Sequence, residues 1–413
     1  MPFLHERLPN GLDVIAETSD AAVSTSVGFF VATGSRDESD DVSGVSHFLE
    51  HMVFKGTPGI TGDEINHRFD AMGASANAFT SEEDTVYYAS VLPEQQHEAV
   101  DLLGAMMRPA LRGADFDTEK LVILEEIRMY DDQPPFGADD RCRAAYFGRH
   151  PLARSVLGSV ESITNLPVEA MRDYHRLRYA PGTMVLAASG AVDFPALVES
   201  AKRLCGDWEP AAPTERRLPQ PPRQAAHPGT ERILKATAAL DYAVWMVAAP
   251  DEFHDDRHAA RLLTILLGDS SGSRLYWGLV DSGEAEQAAC LYQDFLDAGL
   301  FITQLSCDAA DVETLRERIA DIYAAAAAEG VEQAEFERAR NKLASRVVLG
   351  GEKPRRRLFD IGLDWSHART YRSVSEHLRL VEGVMLDDVH RVLRAWPLDA
   401  PAAAVIAGPD EEG

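Results

Sequence analysis

His47-Phe48-Leu49-Glu50-His51 sets two imidazoles and a carboxylate within five consecutive residues. Side chains three and four positions apart on a helix meet on one face, so His47, Glu50 and His51 converge there. Two neutral imidazoles are ligands for zinc, and a carboxylate this close to them can take a proton from an attacking water. The chemistry implied is metal-assisted hydrolysis, with H-x-x-E-H running opposite to the commoner H-E-x-x-H. Around the motif, Val45, Phe48, Leu49, Met52 and Val53 recur at helical spacing over residues 43–54. A ligand face therefore lies beside a buried face. The plainer alternative is a pair of surface histidines with a helical glutamate.

A tetrahedral catalytic zinc takes three protein ligands and keeps one position open. The best source of the third is residues 116–132, FDTEKLVILEEIRMYDD, whose Leu121, Ile123, Leu124 and Ile127 suggest a well-buried helix. It carries Glu119, Glu125 and Glu126. Glu119 and Glu126 are two turns apart and share a face, while Glu125 is rotated by about 100° from Glu126. Spacing alone does not choose among the three, although Glu125 reads better as a solvated charge.

Composition limits the setting. The chain has 413 residues, 45% of them hydrophobic, enough for two domains of about 200 residues each. No apolar run is long enough for a membrane helix, and the opening MPFLHERLPNGL has no charged-then-apolar leader. Cytoplasmic residence in a bacterium is the expectation. Cys142, Cys205, Cys290 and Cys307 are scattered, as buried free thiols would be in a reducing compartment. A net charge of −27 argues against nucleic-acid binding, which needs a basic footprint. It either favours basic or neutral peptides at an acidic wall or serves solubility alone.

The elements that must position the motif follow from periodicity. Strands are expected at 12–17, 23–32, 75–79, 85–91 and 184–189. Helices are expected at 43–55, 63–72, 93–107, 116–132, 138–147 and 195–204. Thr61-Gly62-Asp63-Glu64 has the form of a capping box. A stretch at 210–229, PAAPTERRLPQPPRQAAHPG, lacks periodicity. It divides the chain into 1–210, the zinc-bearing part, a linker at 211–228, and 229–413. The second half repeats the plan weakly: residues 242–268 echo the strand, acidic turn and apolar helix around the motif. Arg261, Thr264 and Ile265 stand there in place of ligands. His254 and His258, beside Asp255 and Asp256, read as a charged helix start rather than a second metal site.

LPNGLDVIAE, GSRDESDDVSGVSHFLEHMVFKGT, NAFTSEEDTVYY and VILEEIRMYDD resemble, in order and spacing, the pitrilysin/insulinase family of zinc metallopeptidases. The similarity is to its short branch, which includes the mitochondrial processing peptidases. It covers essentially the whole chain and is most specific over residues 8–160. The resemblance implies an α+β fold of two homologous domains, each a mixed β-sheet flanked by α-helices. It implies one zinc ion per chain on His47, His51 and Glu126, which follows His51 by 75 positions. Glu50 is then the general base, and Glu119 the acidic residue that orients a ligand. Asn77, Ala78 and Phe79 become part of an edge strand near the metal, where extended peptide adds by main-chain hydrogen bonds.

One departure bears on partners. Lone-acting members of the family carry an Arg and a Tyr, seven apart, in the second half. Val280 and Gln287 occupy those places here, with Arg274 and Tyr276 nearby but out of register. The expectation is a peptidase for short or unfolded peptides that forms a homodimer, or a heterodimer with an Arg/Tyr-bearing relative, around a chamber. The other reading is a non-catalytic scaffold subunit of such a complex.

Overall fold

The β-branched and aromatic runs of the first half build a six-stranded sheet in the computed structural model, which describes residues 1–210, 216, 218–399 and 402–409. Residues 211–215 and 217 of the expected linker lie outside the described residues. The strands are β1 (Phe3–Arg7), β2 (Asp13–Thr18), β3 (Thr25–Val31), β4 (Ser75–Thr80), β5 (Thr85–Val91) and β6 (Met184–Gly190). Their spatial order is β1-β2-β6-β3-β5-β4, with only β2 and β6 parallel. A second sheet holds β7 (Gly229–Leu234), β8 (Asp241–Ala248), β9 (Gln287–Asp294), β10 (Gly299–Cys307) and β11 (Ala403–Gly408), in the order β7-β11-β8-β10-β9. It too has one parallel pair, β7 with β11, followed by three antiparallel ones. Each is the mixed sheet expected, and β4 and β9 are corresponding edges.

The helices are α1 (Val45–Val53), α2 (Gly62–Met72), α3 (Gln96–Met106), α4 (Gly113–Asp132), α5 (Ala138–Phe147), α6 (Val160–Asn165) and α7 (Val168–Arg178). They continue with α8 (Phe194–Cys205), α9 (Arg257–Gly268), α10 (Val312–Glu329), α11 (Gln333–Gly351), α12 (Pro354–Ala368), α13 (Val374–Glu382) and α14 (Leu386–Ala395). Among the described residues no helix is long and apolar enough to cross a membrane. The four cysteines are free and buried.

Two compact units draw on both halves of the sequence: 1–127, 154–217 and 348–375 make one, and 128–153, 218–347 and 376–413 the other. In the first, every residue of β3 is buried because helices cover both faces of the sheet. Side chains alternate along a strand, so Val27, Phe29 and Val31 meet the core under α1, α3 and α8. Phe30 points the other way, with Ile15, Val86 and Val185, onto Leu358 and Ile361 of α12. The approach there is so close that a Cβ on Gly362 would sit 2.3 Å from Phe30 Cζ. Arg357 of the same helix is buried and bidentate on Glu17 of β2, at 2.8 and 2.7 Å. In the second unit α5 covers one sheet face, with Cys142 and Tyr146 against Val244, Met246 and Leu300. Helices α9, α10 and α14 lie on the other.

The expected burial of α4 needs one correction. Its buried positions are Phe116, Glu119, Ile123 and Ile127, spaced three or four apart, whereas Leu121 is 67% exposed. Two residues from either neighbour on that stripe, Leu121 is turned by about 200° and faces outward.

Candidate metal centre

Helix α1 is fixed at its start by three devices. Gly44 before it has φ 89°, a conformation that favours glycine, and a Cβ there would stand 2.6 Å from Leu157 O. Glu38 accepts hydrogen bonds from Gly44 N at 2.7 Å and Ser46 N at 2.8 Å, satisfying two backbone donors at the helix N-terminus. Tyr174 of α7 meets the Ser46 hydroxyl at 2.7 Å. The apolar side of α1 is buried as its spacing predicts. Phe48 stacks on Phe116, with 4.6 Å between ring centroids, and so seats α4 beside α1.

That packing brings together the residues that spacing alone left unresolved. His47, His51 and Glu126 each offer a ligand atom within 4.8 Å of the others. His47 Nε2 is 3.8 Å from Glu126 Oε1, and His51 Nε2 is 3.6 Å from Glu126 Oε2. These separations are long for hydrogen bonds but close to the roughly 3.4 Å between neighbouring ligand atoms around a tetrahedral zinc. Burial, with His51 alongside, pushes His47 down to about 3, so it is the neutral imidazole a metal requires. Its Nδ1 is buried and has no hydrogen-bond partner among the described residues. Donor set and spacing both fit zinc. Glu125 lies on the exposed side of α4.

Glu119 is buried behind the trio and accepts from His51 Nδ1 at 2.9 Å. A carboxylate only accepts, so the proton sits on Nδ1 and the Nε2 lone pair is left for a metal. Lys55, one turn beyond His51, holds the other oxygen of Glu119. Glu50 lies on the ligand side of α1, where burial raises its proton affinity against the opposing effects of Thr80 and His51. Burial also raises Glu126, opposed by His51 and reinforced by Glu119. The Thr80 hydroxyl donates to Glu50 Oε2 at 2.6 Å.

Asn77, Ala78 and Phe79 form the middle of β4, the outer strand of its sheet. Asn77 is exposed and its side chain accepts from Ala78 N at 2.9 Å. Ala78 packs toward the α1 side, and Phe79 lies edge-on to Phe359 of α12 at 5.7 Å. Sequence reasoning passed over Thr80, Glu38 and Lys55. Only Lys55, on the helical face one turn past His51, had a spacing that could have revealed it.

Residues 13–160 match the family model described as insulinase (peptidase family M16), and residues 165–343 match the peptidase M16 inactive domain. A Mycobacterium tuberculosis protein named an uncharacterized zinc protease is 33% identical over 412 residues, 97% of this chain and 92% of its own. The chain belongs to the insulinase family, peptidase family M16. An Arabidopsis thaliana protein named a probable mitochondrial-processing peptidase subunit beta is 28% identical, over 98% of this chain and 78% of its own. The crystal structure of a protease from Helicobacter pylori has the same fold, with a TM-score of 0.92, 22% identity and 99% of both chains covered.

In this M16 chain the second unit offers no comparable centre among the described residues, where the one group of three or more candidate ligands is His47, His51 and Glu126. Arg261 instead pairs with Asp294 at 3.0 Å, and Thr264 and Ile265 are buried. His254 accepts from Asp256 N at 3.1 Å at the entry to α9, a local turn contact. Val280 packs on the core of that unit, and Gln287 is exposed at the start of β9. Arg274 is bidentate on Glu335, at 3.1 and 2.8 Å.

Proposed function

We propose that the chain is a zinc endopeptidase for short or unfolded peptides, with one zinc on His47, His51 and Glu126 and Glu50 as the general base. The observation that carries this is the meeting of two imidazole nitrogens with the Glu126 carboxylate, beside the half-buried carboxylate of Glu50 on the histidines' own helix. Zinc held there supplies a Lewis acid that acidifies water and polarises a carbonyl. Glu50 takes the water's proton and returns it to the leaving amine. Glu119 keeps His51 in the tautomer that binds. Peptide lies along β4, where the main chain of Asn77, Ala78 and Phe79 supplies hydrogen bonds and specificity is loose. That the Mycobacterium tuberculosis relative is named an uncharacterized zinc protease supports the reading.

The chain works as a dimer around a chamber, with a second copy or with an Arg/Tyr-bearing relative. Val280 and Gln287 stand at the Arg and Tyr places, and Arg274 is committed to Glu335. Zinc content and cleavage of a fluorogenic unfolded peptide, with and without chelator, test both statements. About one zinc per chain with chelator-sensitive cleavage is expected, and full activity as a monomer would remove the partner. Glu50→Gln should keep its zinc and lose about 10²- to 10⁴-fold in kcat. Loss of zinc from that variant would contradict the assigned role.

A further inference from the structure

Thr80 ends β4, and its direction is set by strand alternation. Ala76, Ala78 and Thr80 share one face, and the two alanines pack on the core that contains α1. Phe79 points to the opposite face, against Phe359. The Thr80 hydroxyl thereby meets Glu50 Oε2 at 2.6 Å, in the range of a strong O–H···O⁻ bond. Among the described residues this is the one side-chain hydrogen bond the Glu50 carboxylate receives. Its other oxygen is left for a water.

The turn beyond Thr80 is held on several sides. Ser81 N donates to Asp84 O at 2.8 Å. Ser35 N and Arg36 N donate to Ser81 O and Glu82 O at 3.2 and 2.9 Å. The Arg36 side chain is paired with Glu83, and His367 of α12 with Asp84 at 2.7 Å. Thr80 is therefore a fixed point, and its β-branched side chain has few χ1 options.

We infer that Thr80 is a positioning residue for the general base: its hydroxyl holds Glu50 Oε2 so that Oε1 is presented to the attacking water. Released from that bond, the carboxylate turns about its broad terminal torsion and spends less time aligned. Thr80 also terminates the strand along which peptide is proposed to lie, so one element carries both the substrate and the anchor of the base. The inference rests on the peptidase reading above.

Thr80→Val removes the donor and keeps the shape. Its kcat should fall by about 10- to 100-fold with KM and zinc content unchanged. Thr80→Ser should recover kcat to within about threefold of wild type, because the donor returns. A readout independent of activity is a double-mutant cycle of Thr80→Val and Glu50→Ala in urea unfolding of the metal-free protein. Coupling of about tenfold in the unfolding equilibrium constant is expected of a charge-assisted bond. Additive effects overturn the inference. So does an unchanged kcat in Thr80→Val, or a raised KM at constant kcat, which would make Thr80 a substrate contact. A zinc-loaded wild type that leaves unfolded peptides intact both alone and with an Arg/Tyr-bearing relative removes the peptidase reading and this inference together, whereas an active wild type with an equally active Thr80→Val removes the inference alone.

Discussion

Glu119 shows how much of this centre depends on residues that would never touch a substrate. It sits between His51 Nδ1 and Lys55, buried, and fixes which nitrogen of His51 bears the proton. Glu119→Gln keeps the shape but offers His51 a single uncharged acceptor. Zinc affinity should fall by about 10- to 100-fold, read by competition with a chromophoric chelator. Unchanged affinity would reduce Glu119 to packing. The same neighbourhood marks what the sequence could and could not convey. His47, Glu50 and His51 were legible because one helical turn brings them together. Glu126 was not separable from Glu119 and Glu125 by periodicity, since its role depends on how α4 seats against α1 through Phe48 and Phe116. Thr80 was invisible because its partner is 30 positions away on another element.

Among the elements, α1 is short and begins after a glycine in the left-handed region, so its position depends on what holds its first turn. Glu38 does this by accepting hydrogen bonds from two backbone N–H groups, while burial pushes its carboxyl up to about 8. Glu38→Ala leaves both donors buried and should cost about 2–4 kcal/mol. Urea unfolding measures that cost, and a loss under about 0.5 kcal/mol would mean water replaces the carboxylate. β5, with its apolar and aromatic run, begins and ends where expected, as does α5, and Thr61 caps α2 by accepting from Glu64 N at 3.2 Å. Helices α6 and α7 were not expected, for α7 carries charged residues on most of its length and buries only Met171 and Tyr174. Glu38 escaped notice for a related reason. It lies in an acidic run, DESDD, that looks solvated, yet one of its members is buried.

At the scale of the molecule the two sheets share one strand order and one pattern of parallel and antiparallel pairs, with β1 added to the first. The weak internal repeat in the sequence was the trace of this. What it did not reveal is that each sheet is finished by a helix from the other half: α12 covers the first sheet and α5 the second. Such a helix carries ordinary amphipathic patterning, and nothing in that patterning says which sheet it serves. The arrangement sets an order of events during synthesis. When residue 210 leaves the ribosome, Ile15, Phe30, Val86 and Val185 still face water on one side of a completed strand set, and they remain so until α12 has been translated. A nascent chain stalled after residue 210 should be cut readily by protease and recruit chaperones, while one long enough to expose residue 375 should resist. Equal resistance at both lengths would mean the first sheet matures without its last helix. Translation speed through the intervening residues, rather than any contact in the finished protein, then becomes a determinant of how much active enzyme a cell obtains.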